Sequence, residues 1–137
     1  MAAYLIKVEV PDPTAWDMRF EAQKTMYGGT KIAVGDTIYV VDSETQGGQG
    51  LVARGVVTEA TALEKPADAV RYTPRVTVSL RVTHTASKRL GRAELKRFDD
   101  WDDGRPETEL NFKFYRQATN KIGGLSPEAA GFLDNYF

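Results

Sequence analysis

Arg75 to His84, RVTVSLRVTH, is the stretch that most restricts what this chain can fold into. In an extended backbone Val76, Val78, Leu80 and Val82 fall on one side, and Arg75, Thr77, Ser79, Arg81 and Thr83 on the other. A period of two with β-branched residues predicts a strand with one face in a core and the other in water. A face of that kind has to be covered, so the remaining segments must supply a sheet that closes over it.

They do so in short pieces. Ala3–Val10 alternates through Tyr4, Ile6, Val8 and Val10 and ends at Pro11-Asp12-Pro13, a forced break. Asp12-Pro13 can start a helix with Trp16 and Phe20 on one face, while Met18, Phe20 and Ala22 in the same stretch alternate as a strand; residues 14–31 stay open between the two. Val34-Gly35-Asp36 is a tight turn delivering Thr37–Asp42 as a strand, Ser43–Gly50 is a glycine-rich tip, and Leu51–Ala60 returns. Ser87–Phe98 reads as a short basic helix capped at Ser87, with Leu90, Leu95 and Phe98 inward. Leu110–Tyr115 alternates as a last strand, and Gly123-Gly124 reads as a turn. Ser126 caps a final helix with Pro127 in its first position and Ala129, Phe132, Leu133 and Tyr136 along one stripe. Five or six strands with short helices near the ends predict an α+β protein, a small mixed or antiparallel β-barrel. The 137 residues form a single domain on this reading.

Composition narrows the chemistry. There is no cysteine and one histidine, His84, so thiolate or zinc sites and a Ser-His-Asp relay have no residues to build on; no metal, cofactor or catalytic residue is expected. No phosphate-cradling glycine motif precedes a helix. No apolar run approaches the roughly 18 residues of a membrane span. The opening MAAYLIKVEV reads as a strand rather than a leader, which makes a cytoplasmic location the default expectation. The net charge of −1 is unevenly distributed: residues 71–97 carry eight basic residues against Glu94 alone. A cationic segment of this kind can track phosphates, because each contact releases a counterion.

Recognition of a base needs an aromatic or apolar wall for its face and amide, hydroxyl or backbone groups for its edge. Trp16 and Tyr27 are the candidate walls; Tyr39 is assigned to the core, and Trp101, among four aspartates, to a contact surface or a lid. Asp42, Ser43, Gln117, Thr119 and Asn120 are the candidate edge readers. Arg75, Arg81, Lys88, Arg89 and Arg92 are assigned to a nucleic-acid backbone.

Three stretches in the first half of the chain carry a resemblance. The opening YLIKVEVP strand, the GD turn leading through Tyr39 to Ser43, and the returning GLVARGVV strand at Gly50–Val57 resemble EVE-type domains and their ASCH relatives in the PUA-like superfamily. The resemblance implies a PUA-like pseudobarrel whose cleft accommodates a modified base in DNA or RNA, by binding rather than catalysis. Its ASCH branch implies an alternative, an amidohydrolase acting on a modified nucleoside, for which Lys24 and Lys31 are the candidate lysines. A protein-interaction module using Trp101 and Tyr136-Phe137 is the third reading; oligomeric state is not legible.

Overall fold

In the computed structural model, which describes residues 2–44, 47–65, 67–68, 73–115 and 120–137, six strands close into one barrel. They are β1 (Ala3–Val8), β2 (Asp17–Met26), β3 (Thr37–Asp42), β4 (Gly50–Ala62), β5 (Arg75–Thr85) and β6 (Lys121–Leu125). Around the barrel the order is β1-β3-β4-β5-β2-β6, so β6 closes it by pairing with both β1 and β2. β1 lies parallel to β3 and β2 parallel to β6, and the other neighbours are antiparallel. Among the described residues, three short α-helices flank the barrel: α1 (Arg92–Leu95), α2 (Pro106–Tyr115) and α3 (Pro127–Leu133).

Two apolar layers hold this together. Inside the barrel, Tyr4, Ile6 and Val8 of β1 meet Ile38, Val40, Val78, Leu80 and Ile122. On the outer face, Leu5, Tyr39, Val41 and Leu51 are covered by Leu90, Leu95, Leu110, Ala129 and Leu133. β1 and β3 are therefore buried on both faces, which is why YLIKV and TIYVVD are nearly continuous apolar runs. β5 follows its alternation except at Thr77, which is buried with its hydroxyl accepting the Ala22 amide at a bulge in β2.

One open choice is resolved and three local expectations are corrected. The stretch after Asp12-Pro13 is not a helix: Asp12 holds only one turn, through Thr14, and the chain then extends as β2 with Met18 and Phe20 inward. Ser87 does not cap a helix, because its amide and hydroxyl donate to the Tyr136 carbonyl. The helix is confined to Arg92–Leu95 after the extended Gly91, although Leu90 and Leu95 are buried as expected. Leu110–Tyr115 is helical, not a strand. Pro106 opens α2, and the Asp103 carboxylate accepts the Arg105 amide and the Thr108 hydroxyl, fixing its first turn. Gly123-Gly124 is not a turn but the middle of β6. A side chain at Gly124 would collide with the Tyr27 carbonyl that its own amide reaches, so glycine is what lets β2 and β6 approach. The final helix is as expected, with the Ser126 hydroxyl accepting the Ala129 amide. Among the described residues, no helix is long and apolar enough to cross a membrane.

Candidate functional site

The outward face of the closing strand gathers positive charge. In register, Lys121 of β6 lies opposite Lys7 of β1 and beside Lys24 of β2, and Lys24 lies opposite Arg75 of β5. Their strand neighbours Ile6, Ile122 and Val76 point into the barrel, so all four cations sit on its outer face. At about 4.8 Å per strand the row spans about 14 Å. Lys7 is only 4% exposed. Burial pushes its ammonium pKa down, Glu44 nearby opposes that shift, and Arg92 adds to it.

Beside this row is a narrow cleft lined by Leu5, Lys7, Met26, Tyr27, Lys113, Lys121 and Gly123. It holds about 10 Å³, room for a water. The Lys113 ammonium lies 4.9 Å from the centre of the Tyr27 ring, pairs with Glu109 at 3.0 Å, and donates to the Gly124 carbonyl. Glu109 also accepts the Ser126 amide and hydroxyl. Burial alone would raise the Glu109 pKa, but the Ser126 and Lys113 hydrogen bonds outweigh it and hold the carboxyl below its usual range. Tyr27 in turn meets Phe112 edge-on at 6.0 Å.

A second basic group adjoins the first through Glu44. One Glu44 oxygen accepts the Arg92 amide at 2.9 Å and the other lies 3.5 Å from the Arg89 guanidinium. Lys7, Arg92 and Arg89 thus converge on one carboxylate, and Lys88 and Arg89 continue into an open groove of about 700 Å³ bordered by Thr14, Gln49 and Ser87.

Solved structures share this architecture from end to end. The human THYN1 protein in complex with 5-methylcytosine-containing DNA superposes with a TM-score of 0.65 at 14% identity, covering 97% of this chain and 95% of that one. The DUF55 domain of human thymocyte nuclear protein 1 gives 0.66 at 14% identity over 96% of each chain, and a Pseudomonas putida protein 0.60 at 16% identity over 98% and 99%. The chain has the PUA-like barrel fold. The likeness to EVE-type domains expected from the sequence is borne out as a likeness of fold. No protein-family model matches the chain, and no curated protein matches it in sequence.

Within the PUA-like barrel the sequence-predicted residues separate. Tyr27 lies in the cleft and is 42% exposed. Trp16 is 71% exposed but beyond the other end of β2, whose own length is roughly 30 Å at ~3.3 Å per residue, so the two do not wall one cleft. Asn120 sits at the cleft edge with a left-handed backbone (φ 65°); its amide donates to the Lys7 carbonyl and its carbonyl accepts from Lys24. Ser43 is fully buried behind Val8, and the Asp42 carboxylate accepts the Val10 amide, so neither presents an edge to the surface. Gln117 and Thr119 lie outside the described residues. Of the five backbone cations, Arg89 pairs with Glu44, Arg92 reaches it through its backbone amide, and Lys88 borders the open groove. Arg75 joins the cationic row while its guanidinium donates to the Ala22 carbonyl, and Arg81 stands apart, 3.7 Å from Asp17. Lys7, Lys113 and Lys121 were missed; the one signal for them was Lys7, a lysine at an outward position in an otherwise apolar strand.

Proposed function

We propose that this barrel binds nucleic acid, placing a modified base on the Tyr27 face and the neighbouring phosphates on the cationic row and the Lys88–Arg92 segment. The observation that carries the reading is the registered row Lys7–Lys121–Lys24–Arg75 beside an exposed aromatic ring. Like charges at facing strand positions cost stability, so such a row is explained by an anionic ligand that neutralises it. Lys113 occupies the face of Tyr27 as a cation over a π system, and a base can replace it there by stacking. A protein of the same fold was solved with DNA containing 5-methylcytosine, which supports a modified base as the group read.

The test is a fluorescence-anisotropy titration with single- and double-stranded oligonucleotides, DNA and RNA, with cytosine or 5-methylcytosine at one position, at two salt concentrations. The expected result is binding that weakens steeply with salt and is tighter for one modified strand. Absence of binding at low salt, or binding without a salt slope, would refute the proposal.

A further inference from the structure

Among the described residues, three other than glycine hold a left-handed backbone: Ala22 (φ 51°), Tyr27 (φ 51°) and Asn120 (φ 65°). All three stand around the Lys24–Lys121 pair. Ala22 lies shortly before Lys24 and Tyr27 shortly after it, while Asn120 directly precedes Lys121 and its carbonyl accepts the Lys24 amide. A left-handed conformation is unfavourable for a residue with a β-carbon, so it persists only where neighbours fix it.

At Ala22 the fixing groups are visible. Glu21 and Ala22 together oppose the single residue Thr77, between the registered pairs Phe20–Val78 and Gln23–Val76, which is a β-bulge. A bulge breaks the ladder of backbone hydrogen bonds, and here side chains replace it. The Thr77 hydroxyl accepts the Ala22 amide at 3.1 Å, the Arg75 guanidinium donates to the Ala22 carbonyl at 3.0 Å, and the Gln23 carboxamide donates to the Glu21 carbonyl at 2.8 Å. The result is a change of phase along β2. Met18 and Phe20 point into the barrel, and in an unbroken alternation Ala22 and Lys24 would follow them. Past the bulge Gln23 and Thr25 are the buried residues and Lys24 is exposed, in which phase β2 meets β6 with Lys24 beside Lys121.

We propose that the Ala22 bulge sets Lys24 in the cationic row, with Thr77 as its positioning residue, so that the row is formed before any ligand arrives. Thr77 is only 8% exposed and acts through the bulge rather than by touching a ligand. The consequence for binding rests on the nucleic-acid reading above; the placement of Lys24 does not.

The test compares Thr77→Val, which keeps the branched shape without the hydroxyl, with Thr77→Ser, which keeps the hydroxyl. Without ligand, amide hydrogen exchange read by NMR should be at least about tenfold faster at Ala22 and Lys24 in Thr77→Val, unchanged at Ile6 and Val40, and close to the parent throughout Thr77→Ser. With an oligonucleotide that the parent binds, Thr77→Val should lose about threefold to tenfold in affinity at low salt. Its salt slope should fall by part of the roughly 0.7–0.9 that one phosphate contact supplies, and Thr77→Ser should restore both. Lys24→Ala should then cost less than about twofold in the Thr77→Val background. Gln23→Met, which removes another of the bulge's hydrogen bonds, serves if Thr77→Val does not fold, with a change in the same direction. Exchange unchanged at Lys24, or raised equally throughout the barrel, overturns the proposal. So does a Lys24→Ala loss as large in Thr77→Val as in the parent. A parent that binds no oligonucleotide refutes the nucleic-acid reading instead, and the exchange rates then decide the role of the bulge by themselves.

Discussion

Reversing the charge at Lys121 should make the protein more stable and disable its ligand face. Lys121 faces Lys7 on β1 and Lys24 on β2, two like-charge neighbours at registered positions. A cross-strand ion pair contributes roughly 0.2–1 kcal/mol and a like-charge pair costs a similar amount, so Lys121→Glu changes the sign of two such terms. With Lys7 buried and Lys24 exposed to screening solvent, a net gain of about 1 kcal/mol is expected. At about 2.1 cal/mol/K of unfolding entropy per residue, that raises Tm by roughly 3–4 °C for the 137-residue chain. Lys121→Gln, which removes repulsion without adding attraction, should give about half of it. Differential scanning calorimetry reads this half of the prediction. The other half is binding. Losing one phosphate contact lowers the slope of log K against log salt by about 0.9 for a duplex or 0.7 for a single strand, and the introduced carboxylate should weaken low-salt binding more than about tenfold. A Lys121→Glu protein that melts below the parent would refute the electrostatic argument. One that melts higher but binds as before would show that the row is not a ligand surface.

Three further outcomes test the scaffold. Tyr39→Phe removes the hydroxyl that donates to Asp134 at 2.5 Å and lies 3.2 Å from the Ala130 carbonyl, tying β3 to α3; urea unfolding should show a loss of about 1–2 kcal/mol. Glu109 has a depressed pKa in the folded state, so its contribution is complete above the ordinary carboxylate pKa and is lost as pH falls through the folded value. Glu109→Gln should therefore flatten the loss of stability between about pH 5 and 3 in denaturant titrations at stepped pH. Gly55→Ala would drive a methyl group into the Arg81 carbonyl where β4 crosses β5, costing about 1–3 kcal/mol in the same unfolding assay.

The barrel was legible where local pattern and tertiary demand agree. β5, the β3–β4 hairpin and the Ser126-Pro127 helix start all follow period, turn residues or capping read directly from the chain. Leu110–Tyr115 failed because its alternation was incidental: of Leu110 and Phe112, only Leu110 enters a buried cluster, and the helix is set by Pro106 and the Asp103 contacts upstream. Gly123-Gly124 failed for the opposite reason. Two adjacent glycines signal a turn in isolation, but here the missing side chain serves the Tyr27 backbone, a contact made nearly a hundred positions away in sequence.

The site was harder to read because its parts meet only through closure. Lys7, Lys24, Arg75 and Lys121 belong to four strands, and none of them marks a motif; they become one feature when β6 bridges β1 and β2. A segmental charge count found the excess at 71–97 and so captured Arg75, Lys88, Arg89 and Arg92, but all four lysines now central to the cleft and its row lie in segments whose net charge is negative: Lys7 and Lys24 before that segment, Lys113 and Lys121 after it. Topology overrides the sum over a segment. Likewise Trp16 and Tyr27 are eleven positions apart, which suits facing walls in a loop or on a helix but not at opposite ends of an extended strand. Once residues 17–26 are extended, Tyr27 acquires other partners, Phe112 and Lys113 from α2, and through Phe112 it is joined to Trp101. The same helix therefore presents an aromatic edge between a face of lysines and a loop rich in aspartates, a juxtaposition that no single segment of the sequence displays.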